Sequence, residues 1–445
     1  MKTQETTGQD AGPGRRFYEP AVETLPRADI AAFQERHLLG DVLPFACEHS
    51  PLLRETWQRA GVAPGDIGSM ADFFAAAPFI DKEAIKRFRD ERGDPYGGLL
   101  CRRPADIANL AGIFGTGGTT GEPTPVTVLR GPTVMMRDFW ESGVRPGDHL
   151  SVVLFTFRGA GTNETVRGMG AVPLFFNHTP LEIPALLEFG RRFRPTGWYL
   201  LSNVMINGIE QMAPQIGFDP AELFASYRNV IYAGEPLGAR ARRLLDAWGV
   251  RILSHTAVGD VSAATECQAR DGCHVWEDTV LVECLDPDGT APVPDGERGE
   301  LVVTSIIDTV APVLRCRTDD LVRLTRAPCA CGRTHARIWP LGRKTDEVLI
   351  DGRSVMPVDV WGAVETVHET RAGLFQVIRS ARQMDRLRLR VGYQDARPGV
   401  LPALRTRLAD AIGERLGLVP EIELVPAGDL LRLGPPHKIP RVAKR

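Results

Sequence analysis

Apolar residues in the first part of the chain recur at helical spacing. From Arg54-Glu55-Thr56-Trp57 to Phe88 they return every three or four positions with prolines as punctuation, which predicts packed helices behind a polar head ending near residue 16. From residue 149 the pattern changes. HLSVVLF, GMGAVPLFF, GWYLLS, NVIYAG and VRILSH are short apolar runs separated by amphipathic stretches, so strands alternate with helices in an α/β domain. Between 279 and 325 the runs TVLVECLDPDG, GERGELVVTS and LVRL, divided by Asp-Gly and Gly-Glu turns, predict a β region. A further change follows Gly342-Arg343-Lys344-Thr345-Asp346. There VLIDG, LFQVIRS, RLRLRVGY and EIELVP surround amphipathic segments such as LPALRTRLADAIGERLG, the pattern of a small α+β domain. The expected fold is α/β, with a large domain over residues 1–341 and a small one over 342–445; the sequence has no internal repeat.

A chain of 445 residues is long for a single core, in keeping with two domains. Its 53 basic and 56 acidic residues nearly cancel, which argues against nucleic acid or a membrane surface as partner and favours a small molecule. The start, MKTQETTGQDAGPGRR, lacks the apolar stretch of a signal peptide, so a cytoplasmic protein is expected. Eight cysteines in such a chain do not form a disulfide scaffold.

Two clusters carry candidate chemistry. Residues 114–126, FGTGGTTGEPTPV, combine glycines with three threonine hydroxyls in the run Gly115 to Gly121. Glycine allows the dihedrals that let backbone amides converge on an anion, and phosphate is the usual guest. The run is neither a Walker loop nor GxGxxG opening a helix, because no Lys-Ser/Thr follows and Glu122-Pro123 breaks a helix there. The second cluster is Cys329-Ala330-Cys331-Gly332 with Cys267 and His274, a CxC knuckle and a C-x6-H pair. Three thiolates and an imidazole suit tetrahedral Zn²⁺, and four protein ligands make the role structural. Cys273 as a substitute ligand and His335 as the alternative histidine both stay open. Cys47, Cys101, Cys284 and Cys316 read as small buried hydrophobes.

Taken in order, FGTGGTTGEPTPV, YAGEPL at 232–237, LRCRTDDLVRL at 314–324, GRKTDEVLIDG at 342–352 and PPHKIPRV at 435–442 resemble the adenylate-forming ligases, most of all the phenylacetate-CoA ligase branch. The lead-in RAGVAPGDIGSMADFFAAAPFIDKEAIKRF is similar to that branch too. The resemblance implies ATP-dependent conversion of a small aromatic carboxylic acid to an acyl-adenylate, then transfer to CoA, with ATP, Mg²⁺ and structural Zn²⁺ as cofactors. It implies that Thr116, Gly117, Gly118, Thr119, Thr120 and Gly121 handle the triphosphate, that Gly234, Glu235 and Pro236 line the adenine site, and that Asp320 grips the ribose hydroxyls. Arg343 then lies near the nucleotide, Asp346 is the hinge of a mobile C-terminal domain, and Lys438 bridges carboxylate and α-phosphate. SHTAVGDVSA at 254–263 departs from the relatives' aromatic-Gly-x-Ser/Thr-Glu; the best matches are Thr256 for phosphate and Asp260 for Mg²⁺, with a register shift of one or two residues left open.

An aryl acid needs a flat apolar slot. Phe155, Phe157, Gly159 and Ala160 follow a strand where this family places its acyl site, and Phe175 and Phe176 belong to the next. Which acid and which acceptor stay open. A carrier-protein thiol, or an amine or hydroxyl in a biosynthetic pathway, would share the first half-reaction, and a homodimer is a further expectation. The rival readings are a non-catalytic ligand-binding relative, suggested by the altered SHTAVGD, and a zinc-dependent hydrolase, disfavoured by the four-ligand count.

Overall fold

The computed structural model describes residues 14–116, 124–129, 133–154, 159–394, 398–433 and 439–444. Helix ends in the first hundred residues follow their local chemistry. Ser50 caps helix Pro51–Ala60 by accepting from the Leu53 amide, and Gly61 closes it in the left-handed region at φ 70°. Asp81 likewise caps Lys82–Arg92 through the Ala84 amide, and Gly93 ends it at φ 66°. That cap fixes Lys82 at the helix start.

Strands β1 (Ile80–Asp81), β2 (Leu110–Thr116) and β3 (Thr124–Leu129) precede the α/β region. There β4 (His149–Val153), β5 (Val172–Phe176), β6 (Gly197–Leu201), β7 (Asn229–Tyr232) and β8 (Ile252–Val258) pair in parallel in the order β5-β4-β6-β7-β8. β4, β6 and β7 are buried along most of their length because helices cover both faces. The sheet then turns antiparallel. β9 (Ser262–Glu266), β10 (Cys273–Val275), β11 (Val280–Leu285), β12 (Arg298–Ser305), β13 (Cys316–Thr325) and β14 (Arg337–Arg343) continue it in the order β9-β10-β14-β13-β12-β11. With β1 on β13 the described sheet has 12 strands.

Beyond Lys344–Asp346 lie two small sheets. One joins β15 (Val348–Ile350), β16 (Arg353–Val355) and β18 (Gln383–Met384); the other runs β20 (Glu421–Pro426), β19 (Arg388–Tyr393), β17 (Phe375–Arg379), β21 (Val442–Lys444). Helices Pro357–Val364 and Leu401–Leu416 pack on them, and the resulting core draws only on residues from Val348 onward. The expected break after residue 341 falls inside β14. No helix of the described residues is long and apolar enough to cross a membrane.

The N-terminal helices share one core with the antiparallel strands. Arg315 stitches the two together: it donates to Glu283 at 2.8 and 3.2 Å and to the carbonyls of Phe74 and Ala77 at 2.9 and 3.1 Å, and its guanidinium lies 4.0 Å from the Phe79 ring centre. Both charged side chains are buried, at 5% and 10% exposure. Arg315→Met leaves Glu283 buried without its partner and is expected to lower stability by about 3–5 kcal/mol in urea unfolding. A loss under about 1 kcal/mol, the scale of an exposed ion pair, would refute this role.

Candidate active site and metal centre

Hairpin β8–β9 pairs Val258 with Ser262, so Gly259-Asp260-Val261 form its tip. Gly259 sits at φ 58°, and a Cβ there would lie 2.9 Å from a Val303 methyl; only glycine suits the turn. Asp260 at the tip meets the Lys82 ammonium, Nζ to Oδ2 3.0 Å. Thr256 pairs with Ala264 on the same hairpin, its hydroxyl 3.4 Å from the Ala257 carbonyl. Beyond β10, β14 and β13 place Asp320 opposite Arg343, Nε to Oδ1 3.5 Å. Burial pushes the Asp320 carboxyl up; Arg343 and Lys82 pull it down, while Asp319 and Asp260 add to the rise. Four segments far apart in sequence thus bring Lys82, Asp260, Asp320 and Arg343 into one charged group. Asp319 turns the other way, to the hydroxyl and amide of Thr345, and so grips the Lys344–Asp346 turn that contains Asp346.

The candidate nucleotide segment leaves β7 at its carboxyl end, where open α/β sheets bind ligands. Gly234 is at φ 113°, the Glu235 carbonyl accepts from the Tyr232 hydroxyl at 2.8 Å, and the Pro236 carbonyl accepts from Asn203 at 3.2 Å. The Glu235 carboxylate binds Arg441 of the C-terminal region through two hydrogen bonds, 2.7 and 3.1 Å. β2 and β3 form an antiparallel pair with Thr116 opposite Thr124. Gly117, Gly118, Thr119, Thr120 and Gly121 lie outside the described residues, as do Phe155, Phe157 and Lys438. Gly159 and Ala160 open helix Gly159–Gly168. Phe176 is core, edge-on to Phe189 at 5.6 Å, whereas Phe175 is half exposed on the other face of β5.

Sequence reasoning passed over two groups here. Lys82 has a sequence signal in the Asp81-Lys82 pair at a helix start, which fixes a cation there. Asp138 carries no positional signal at all. It lies buried beneath β8, accepting from Trp276 at 3.2 Å and facing His255 at 3.8 Å. Burial pushes Asp138 up to about 7 and His255 down to about 4, so His255 is neutral at pH 7 and shares a 2.7 Å hydrogen bond with Thr265.

The four expected metal ligands come together. Cys267 follows β9, His274 is on β10, and Cys329 and Cys331 sit between β13 and β14; their ligand atoms lie within 4.8 Å of one another, and all four residues are buried. Cys267 Sγ is 3.7 Å from Cys329 Sγ, and Cys331 Sγ is 3.3 Å from His274 Nε2. A tetrahedral ion with Zn–S of about 2.3 Å and Zn–N of about 2.0 Å separates its ligands by roughly 3.5–3.8 Å, and a disulfide needs about 2.05 Å. The spacing therefore fits a metal site. His274 Nδ1 meets the His335 carbonyl at 3.1 Å, which leaves Nε2 as the ligand atom. The Cys267 thiol hydrogen-bonds Cys331 and holds it well below the usual thiol range, with His274 helping; Cys267 is pushed up in return by the same bond and by burial. The alternatives have other partners. Cys273 Sγ approaches the Ser254 carbonyl at 3.6 Å, and His335 binds the Glu277 amide and the Val22 carbonyl, each at 3.0 Å.

No family model matches the chain. It is 29% identical over 449 residues to phenylacetate-coenzyme A ligase of Thermus thermophilus, spanning 94% of this chain and 97% of that one. Against the Aromatoleum evansii ligase of the same name it is 30% identical over 355 residues, 76% of each chain. Among solved structures, 2-hydroxyisobutyryl-CoA ligase in its postadenylation state overlays with a TM-score of 0.81 at 24% identity, covering 98% of this chain and 94% of that one. In its thioesterification state the same ligase gives 0.66 at 26% identity, with 98% and 94% coverage. On these relatives the chain belongs to the phenylacetate-coenzyme A ligase family.

Proposed function

We propose that this chain activates a small aromatic carboxylic acid with ATP and passes the acyl group to CoA. The observation that carries the reading is the gathering of Lys82, Asp260, Asp320 and Arg343 from four distant segments. In the first step a carboxylate oxygen of the acid attacks the α-phosphorus, the bond to pyrophosphate breaks, and acyl-adenylate remains. Both reactants are anions. Catalysis therefore rests on donors and cations fixed where charge gathers. Asp320, whose carboxylate form only accepts hydrogen bonds, suits the ribose hydroxyls, and Arg343 beside it adds positive charge near the phosphates. The Gly/Thr run 115–121 would supply amides and hydroxyls to the triphosphate, the 234–236 segment the adenine site, and Lys438 a point charge between carboxylate and α-phosphate. Thr256 would touch phosphate. Asp260 would help hold Mg²⁺, which neutralises phosphate charge when bound; its ion pair with Lys82 engages Oδ2.

In the second step the CoA sulfur attacks the acyl carbon, the thiol proton is lost and AMP leaves. The resemblance supports a C-terminal region, about residues 342–445, that turns about Asp346 between the steps. Phe155, Phe157, Gly159 and Ala160 would line the acid slot. Buried Cys267, His274, Cys329 and Cys331 would hold a structural Zn²⁺, which ties β9 and β10 to the β13–β14 connection. With four protein ligands it has no open position for a substrate.

Two measurements test the reading. ATP–pyrophosphate exchange with Mg²⁺ is expected for at least one acid in a panel of benzoates, hydroxybenzoates, aminobenzoates, phenylacetates and 2-hydroxyisobutyrate. Silence from folded protein across the panel would sink it in favour of a binding relative. Separately, freshly purified protein is expected to contain about one zinc per chain, and Cys329→Ser to lose it together with thermal stability. Metal-free, fully stable protein would end the zinc assignment.

A further inference from the structure

Arg441 is the last residue before β21, and its carbonyl accepts the Val377 amide at 2.7 Å, so its backbone belongs to the C-terminal sheet. Its side chain does not. Nε and Nη2 reach Glu235 of the candidate nucleotide segment at 2.7 and 3.1 Å, Nη1 donates to the Gly373 carbonyl at 2.5 Å, and the guanidinium stacks 3.7 Å from the Trp361 ring centre. Both charged side chains are buried, at 9% and 7% exposure. A second contact runs the opposite way across the same interface. Glu365 of the C-terminal region takes the Trp361 indole N–H at 2.5 Å and the Arg240 backbone amide at 3.2 Å, at the start of helix Ala239–Ala247. Between the two contacts lies Gly238, where a Cβ would stand 2.1 Å from Glu365 Oε1.

We propose that Arg441 is a positioning residue for the adenylation half-reaction: with Glu365 it docks the C-terminal region on segment 234–240, and it has to let go of Glu235 before thioester formation. The proposal rests on the two-step reading above. A fork-to-fork pair fixes orientation as well as distance, which a point charge does not. The same pair suits a reversible contact. The gain in attraction on burial is largely offset by the loss of water from both ions, so the docked state is specified without being over-stabilised. The TM-scores of 0.81 and 0.66 to the postadenylation and thioesterification states accord with the docked arrangement belonging to the first step.

The test uses the full chain with Arg441→Gln, Arg441→Lys and Gly238→Ala, each read in two half-reactions: pyrophosphate exchange, and thioester formation from supplied acyl-adenylate and CoA. Exchange is expected to fall at least about tenfold in Arg441→Gln, because truncating one partner of a desolvated charge pair weakens an interface by that much or more. Arg441→Lys, which keeps the charge and loses the fork, is expected to fall between that and the parent. Transfer from supplied adenylate should stay within about threefold of the parent, because ΔΔG‡ then reports only the step lost. Gly238→Ala tests the docking without touching the charges and should show the same split. Equal losses in both half-reactions, or unchanged exchange, would overturn the proposal. If the parent gives no exchange with any acid, the functional reading has failed, and hydrogen exchange then judges the contact alone. Amides of 234–240 and 361–375 should be protected in the parent and exchange faster in Arg441→Gln; equal protection would refute it.

Discussion

A guanidinium removed from water needs its carboxylate beside it, and this chain uses that requirement to fix segments that are remote in sequence. Arg315 with Glu283 holds the N-terminal helices to the antiparallel strands. Arg333 meets Glu23 and Glu141, both at 2.7 Å, and Arg137 meets Asp278 at 2.8 Å, so the Cys329–Cys331 segment, the first described helix and the α/β layer share one frame. Arg441 with Glu235 does the same across the two regions. Either partner alone would be an uncompensated buried charge. The pairs therefore specify one arrangement more than they add stability, and the candidate site inherits its geometry from them.

That site lies where the parallel sheet gives way to the antiparallel one. Asp260 is at the tip of hairpin β8–β9, and Cys267 follows the end of β9. The acidic tip is thus held by Lys82 at one end, and its strand leads at the other into the buried cluster of Cys267, His274, Cys329 and Cys331. Beneath it lie His255, neutral at pH 7 and hydrogen-bonded to Thr265, and Asp138, whose Oδ1 accepts from Trp276 while Oδ2 faces the His255 ring.

The strands of both regions were legible as apolar runs between turn residues, and the motif order pointed to the family before any fold was seen. Pairings were less legible. The flanks of the Gly/Thr run are short, with two glycines in β2 and a proline in β3, so neither gave a strand signal of its own. β21 has three residues and is a strand only because β17 receives it. Adjacent strand residues point to opposite faces, which is why spacing alone left Cys273 and His274 both open as ligands while only His274 turns to the thiols. The same alternation separates Phe175 from Phe176. Lys82 and Arg441 act through partners 178 and 206 positions away, respectively Asp260 and Glu235, and no local pattern encodes such a meeting.

The account turns on the acid attacking the α-phosphorus of ATP. The most direct measurement is turnover of an accepted acid labelled with ¹⁸O in both carboxylate oxygens, in the presence of ATP, Mg²⁺ and CoA, with the AMP analysed by mass spectrometry. One ¹⁸O in the phosphate of each AMP is the expected result, since the oxygen that joins acid to phosphorus leaves with AMP when the thioester forms. Unlabelled AMP accompanying thioester product would contradict the adenylate route.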